Sequence, residues 1–223
     1  MSLKKNLDQL IFEQMKDRII NGDWEQGRNL EVDELSSYYE VSRTPILQAL
    51  KRMQNEGMLV VSRVGKFYFP KYNERQVRDI CRVRLILELE ALNEIHQSKP
   101  SMDWRALRDL TQWCQRRTMC ADVVASRRYD MEWHKQLVDA SENECLIGLY
   151  TKVQGQFMIA NYLQTFHSNE QQMVAADDHT SVMDHLEQSD YDGAKAVLTC
   201  HINNACDKIL ARVRASQTVD FDT

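Results

Sequence analysis

The sequence predicts a mainly α-helical chain in two parts. A small N-terminal domain of three helices and a β-hairpin precedes a C-terminal antiparallel bundle of about six helices. Three observations predict this. Only 7 Gly and 3 Pro occur in 223 residues, about a third of average usage, too few breakers for a loop-rich or all-β chain. A hydrophobic fraction of 43% suffices for a packed core and excludes disorder on composition. The helical periodicity is broken at Pro70-Lys71-Tyr72-Asn73. The expected parts are therefore 1–71, 72–216 and a short tail, 217–223. No apolar run approaches the roughly 18 residues of a membrane span. The N-terminus lacks a signal-peptide core, so a cytoplasmic chain without membrane contact is expected. Cys81, Cys114, Cys120, Cys145, Cys200 and Cys206 are scattered with no CxxC, the pattern of reduced, mostly packed thiols.

In the first part, Leu7, Leu10, Ile11, Met15, Ile19 and Ile20 recur at helical spacing and predict one apolar face. Asn21-Gly22 stops that helix, and Gly27 marks a second turn. A short helix follows over Val32–Tyr39, with Leu35 and Tyr38 inward. Ser42 is placed to cap a third helix, which tolerates Pro45 in its first turn. Ile46, Leu47, Leu50 and Met53 form its buried stripe, with Leu47 ambiguous, and Glu56-Gly57 ends it. Met58–Ser62 and Phe67–Pro70 flank Arg63-Val64-Gly65-Lys66, a hairpin with a basic tip. Three helices and a two-stranded wing make a winged helix-turn-helix.

The formal charge of −5 argues against a nucleic-acid partner until it is divided by position. Residues 1–71 carry +1 and residues 72–223 carry −6. Between Ser42 and Lys71, six basic residues face Glu56 alone, a +5 island. Such a run is either a solvated face or a phosphate-contacting surface. Here it coincides with the third helix and the wing, the elements that meet a DNA groove.

The run Ile20-x-Gly22-x4-Gly27-x2-Leu30-x3-Glu34-Leu35, then Val41-Ser42-Arg43-Thr44-Pro45, Ala49-Leu50, Glu56-Gly57 and Gly65 resembles the GntR family of bacterial transcriptional regulators. The resemblance implies that Arg28, Arg43 and Gly65 occupy DNA-contacting positions. Ser42, Thr44, Gln48, Lys51, Arg52, Arg63 and Lys66 complete the expected DNA-facing set. Gln48 suits bidentate reading of adenine, and Lys51 or Arg52 suits phosphate. One departure stands out. The family usually reads Pro-Val-Arg-Glu-Ala-Leu where this chain reads Pro45-Ile46-Leu47-Gln48-Ala49-Leu50. Leu47 therefore replaces a second recognition arginine, and the operator sequence is left open.

After the boundary the helical periods run roughly over 74–96, 102–117, 121–140, 144–165, 171–188 and 191–214, and such a succession packs as a bundle. All six His lie here, at 96, 134, 167, 179, 185 and 201. Asp130 and His134 are spaced i, i+4 and share a helix face. His179 and His201 sit on two later helices joined by a turn near Ser189-Asp190, so both can approach one cavity. Asp with three His is an N3O donor set for a divalent transition metal. Taken alone, such a pair is more often solvated surface. His185 falls about 600° beyond His179, off that face. His96 and His167 are read as helix-end residues, and Trp133 as core.

The pattern Asp130-x2-Trp133-His134-x2-Leu137-x5-Asn143-x2-Leu146, then Asp178-His179-x21-His201, resembles the FCD effector domain of the FadR-type branch of that family. The resemblance implies that Asp130, His134, His179 and His201 bind a divalent metal, zinc first, with nickel or manganese as alternatives. Arg84 matches an Arg-x3-Glu on the first bundle helix and by resemblance faces an effector cavity; a surface ion pair with Glu88 is the alternative. The expected partners are a palindromic double-stranded DNA operator, a small organic acid effector and a second copy of the chain. The expected activity is effector-controlled transcription, as a repressor, and not catalysis. An enzymatic alternative, a metal-dependent hydrolase or lyase, lacks a base: Glu132 lies about 200° from Asp130 on an ideal helix. No HExxH, nucleophile elbow or phosphate loop occurs. A constitutive DNA-binding protein with a purely structural metal is the other alternative.

Overall fold

The structure, a computed structural model, describes residues 7–98, 103–162 and 169–219. The chain divides into two compact units. The first comprises Met1–Tyr72 with Lys152–Thr165, the second Asn73–Thr151 with Phe166–Thr223. No helix among the described residues is long and apolar enough to cross a membrane.

The first unit holds α1 (Leu7–Asn21), β1 (Asn29–Leu30), α2 (Val32–Tyr38), α3 (Arg43–Asn55), β2 (Val60–Val61) and β3 (Phe67–Tyr68). Its core is Ile11, Phe12, Met15, Ile19 and Ile20 of α1 against Ile46, Ala49, Leu50 and Met53 of α3. Leu7 and Leu10 are largely exposed, so the apolar face of α1 starts later than its periodicity implies, and Phe12 belongs to it. Tyr38 also points out, not in; the Arg18 guanidinium lies over its ring at 4.7 Å. The sheet has three strands rather than two, in the antiparallel order β1-β3-β2. A two-residue strand leaves no alternation to read. Ser42 precedes α3 in extended geometry, yet its hydroxyl makes no capping bond. Gly65 turns the wing at φ +81°, a conformation that favours glycine. Its amide donates to the Ser62 carbonyl at 2.9 Å.

Residues 152–165 join this unit through a close approach. A Cβ on Gly155 would collide with the Glu56 carbonyl, and one on Gly57 with the Lys152 carbonyl. Gln26 Nε2 also donates to the Ile159 carbonyl at 2.9 Å.

The second unit is a bundle of α4 (Glu74–Ser98), α5 (Arg105–Met119), α6 (Val123–Asp139), α8 (Asn169–Glu187) and α9 (Tyr191–Val219) with the start of α7 (Glu144–Tyr162), whose residues from Lys152 on belong to the first unit. The expected helices over 102–117 and 144–165 each reach residues outside those described. Asp122 caps α6 by accepting from the Ala125 amide. Asn143 caps α7, accepting from Cys145 and Leu146 while its amide donates to Glu94. Leu92, Ile95, Leu107, Trp133, Leu137, Val182, Met183, Leu198 and Ile202 lie in one core cluster drawn from five helices. The metal-type residues sit on three of those helices, facing inward.

Candidate metal centre and nucleic-acid interface

Asp130 and His134 project from successive turns of α6, His179 from α8 and His201 from α9. One ligand atom from each lies within 4.8 Å of all the others. His134 Nε2 is 3.1 Å from His201 Nε2 and 3.2 Å from His179 Nε2. Asp130 Oδ1 is 3.6 Å from His179 Nε2. His134 and His179 have no exposure, and His201 has 6%. Burial holds the imidazoles of His134 and His179 well below their ordinary pKa, helped by neighbouring charges that include Arg84 and His201. They are therefore neutral at pH 7, the form that ligates metal. Burial also raises Asp130, opposed by His201, Arg84 and Lys208.

The outer contacts orient the rings. His134 Nδ1 lies 2.7 Å from Glu88 Oε2, and His201 Nδ1 lies 3.1 Å from Asp178 Oδ2. With each Nδ1 set against a carboxylate, the Nε2 atoms of His134 and His201 face one another at 3.1 Å. Separations of 3.1 and 3.2 Å suit two nitrogens each about 2.0–2.1 Å from one ion. The donor set therefore fits a divalent metal. Trp133 stacks on His179 at 4.2 Å between ring centroids, so it is core, as expected, and also the wall of the site. His179 Nδ1 is buried without a hydrogen-bond partner among the described residues.

Arg84 is not on the surface. It and Glu88 are 3% and 0% exposed, and Arg84 Nε donates to Glu88 Oε1 at 2.8 Å. Tyr150 Oη donates to the same oxygen at 3.0 Å. Burial raises the Glu88 carboxyl, while the Arg84 charge opposes it. Arg84 thus reaches His134 through Glu88. His185 is off the site and bonds Asp190 at 2.8 Å. His96 is exposed and stacks on Tyr191. His167 lies outside the described residues. Glu132 is exposed and accepts from Gln136, not from the site.

In the first unit, Thr44, Gln48 and Lys51 are exposed along α3, opposite its buried stripe, with Leu47 half-buried beside them. Arg63, Gly65 and Lys66 are exposed at the wing. Several basic groups carry acidic partners: Arg28 with Glu34 at 2.6 Å, Arg43 with Asp33 at 3.3 Å, and Lys66 with Glu31 at 3.1 Å. Such surface pairs are worth about 0–1 kcal/mol each, so phosphate displaces them cheaply. Arg52 differs: it bonds Glu56 at 2.9 Å and its guanidinium lies 3.9 Å from the Phe12 centroid.

Residues 79–204 match the family model of the FCD domain, and residues 7–68 match that of the bacterial regulatory proteins of the gntR family. The chain belongs to the GntR family and carries an FCD domain. It is similar to the HTH-type transcriptional regulator YdhC of Bacillus subtilis (strain 168), 21% identical over 203 residues covering 89% of each chain. It is 24% identical to the Nta operon transcriptional regulator of Aminobacter aminovorans over 194 residues, 86% of this chain and 89% of that one. In fold it is similar to McbR/YncC of E. coli, with a TM-score of 0.79 at 18% identity, covering 93% and 98% of the two chains. This GntR chain is thus a transcriptional regulator, not an enzyme. Within its FCD domain, sequence reading brought together the four metal-type residues that the fold brings together. It missed the roles of Glu88, Tyr150 and Asp178. The available signals were the Arg84-x3-Glu88 spacing and the Asp178 adjoining His179; Tyr150 gave none.

Proposed function

We propose that this GntR regulator is a ligand-responsive repressor that binds a divalent metal through Asp130, His134, His179 and His201. A small carboxylate effector completes the coordination and alters operator affinity. One observation carries the reading: three imidazoles and a carboxylate converge in the bundle core, with two Nε2 atoms 3.1 Å apart. The metal supplies a Lewis-acidic anchor for an oxygen ligand. Zinc is preferred, with nickel and manganese compatible with the same donors. Glu88 and Asp178 orient His134 and His201 toward it.

Arg43, Ser42, Thr44, Gln48 and Lys51 on α3, Arg28 beside α2, and Arg63, Gly65 and Lys66 on the wing form the DNA face. Arg52 supports this face by packing. A homodimer on a palindromic operator supplies enough contacts. Val83 and Ile86 on α4 and Leu149 on α7 support it, because they are 43–55% exposed and a second copy would cover them. An effector changes DNA affinity only through a different affinity for the two conformations.

The test measures operator binding by fluorescence anisotropy with metal-loaded protein, with and without a panel of small carboxylic acids. The expected result is weaker binding with at least one acid, and no response in the His134→Ala/His201→Ala variant, which elemental analysis shows to be metal-poor. Equal metal content in variant and parent removes the metal assignment. Metal-dependent stability with operator affinity indifferent to every acid would instead favour a structural metal.

A further inference from the structure

The FCD bundle places basic side chains to one side of the histidine trio. The helix directions establish this. The Glu74–Arg214 ion pair and the His96–Tyr191 stack make α4 and α9 antiparallel. Arg108–Glu187 and Gln115–Thr180 make α5 and α8 antiparallel. Ser126 against Cys114 and Thr118 folds α6 back along α5. The Asp178–His201 contact and the tight turn before Tyr191 fold α9 back along α8. Hence α6 and α9 run in opposite directions. Arg127, seven residues before His134, and Lys208, seven residues after His201, lie on the same side of the trio, each about 10 Å along its axis. Seven residues is nearly two turns, so each shares a helix face with its histidine. Arg84, one turn before Glu88 on α4, lies on that side too.

The three differ in what they do. Arg84 is committed to Glu88. Arg127 is a permanently charged group only 5% exposed. Lys208 is half-buried, its charge acts on Asp130, and it makes no ion pair among the described residues. Side chains on a helix tilt toward its N-terminus, so Lys208 leans back toward His201. Ala205, one turn from His201 on the same stripe, puts only a methyl between the two.

We propose that Lys208, aided by Arg127, holds a second carboxylate of the effector, so that the ligand is a short di- or tricarboxylate rather than a monocarboxylate. This rests on the carboxylate-effector reading above and names its class. One carboxylate meets the His3Asp cluster, and the other meets the ammonium beyond Ala205.

The test titrates the metal-loaded full chain by calorimetry with malonate, succinate, malate and citrate, and with acetate and lactate. At least one acid with several carboxylates is expected to bind roughly tenfold or more tighter than either monocarboxylate. Lys208→Met is expected to erase that preference while metal content and monocarboxylate binding stay unchanged. Arg127→Gln is expected to reduce it in part, with circular dichroism melting to confirm that both variants fold. Equal binding of mono- and polycarboxylates by the parent overturns the proposal and leaves a carboxylate effector standing. A preference that survives in Lys208→Met overturns the assignment of that residue. Failure of every acid to bind the metal-loaded protein overturns both this proposal and the reading beneath it.

Discussion

His134 shows how one side chain depends on residues far away in sequence. Its Nε2 faces the candidate ion only because its Nδ1 is taken by Glu88, which Arg84 and Tyr150 hold in place. Glu88→Gln keeps the shape but removes the charge that orients the ring. A 10–100-fold loss of metal affinity is expected, read by competition with a chromogenic chelator. At the DNA face, Arg43→Ala is expected to cost about 1–3 kcal/mol of operator affinity by anisotropy; unchanged affinity would remove its recognition role. The cysteines give a further check. Cys120, Cys145 and Cys200 are exposed, whereas Cys81, Cys114 and Cys206 are buried. Burial pushes the Cys114 thiol up to about 12, so almost no thiolate forms there at pH 8. Brief alkylation of the folded chain at that pH, read by mass spectrometry, is expected to label the first three and spare Cys114.

At the level of elements, Gly155 is used for closeness and not for backbone freedom. Gly→Ala inside a helix ordinarily stabilises by up to about 1 kcal/mol. Gly155 in α7 should reverse that sign, because an alanine methyl meets the Glu56 backbone carbonyl, which cannot swing aside as a side chain would. Gly155→Ala is expected to lower the thermal midpoint, and a raised midpoint would show that the helix shifts freely. Gly148 in the same helix has open space around it, so Gly148→Ala is the control and should stabilise. The elements also show where sequence reading stops. The bundle helices were legible because long apolar periods outweigh local ambiguity. Tyr38 was not, since α2 is only seven residues and a phase error of one residue, about 100°, turns a side chain from core to solvent. Strand β1 was not, since two residues carry no period.

Across the whole molecule, the charge division governs partner choice. The net −5 would repel DNA if spread evenly, but the basic residues of α3 and the wing are concentrated in the first unit. Operator binding is therefore expected to fall steeply with salt, and neutralising Lys51 or Arg63 is expected to reduce the log–log slope by about 1 each. The metal is the corresponding lever on the bundle. A ligand bound at many times its dissociation constant adds a few kcal/mol to stability. Chelation is expected to lower the thermal midpoint by about 5–10 °C. No change on complete metal removal, confirmed by elemental analysis, would show that the histidine cluster stands without an ion.

The sequence by itself determined the helical class, the winged-helix plan, the basic island and the four residues of the His3Asp group. The first three are properties of composition, local period and spacing written along one strand of chain; the fourth came from spacing read together with the resemblance to the FCD domain. The tertiary structure decided which groups surround that constellation: that Arg84 is buried against Glu88 instead of lying on the surface, that Tyr150 completes the network, and that Trp133 walls His179. Those outcomes depend on the phase and direction with which α4, α6, α7, α8 and α9 meet. A few degrees of helix rotation decide them, and no local pattern encodes that rotation.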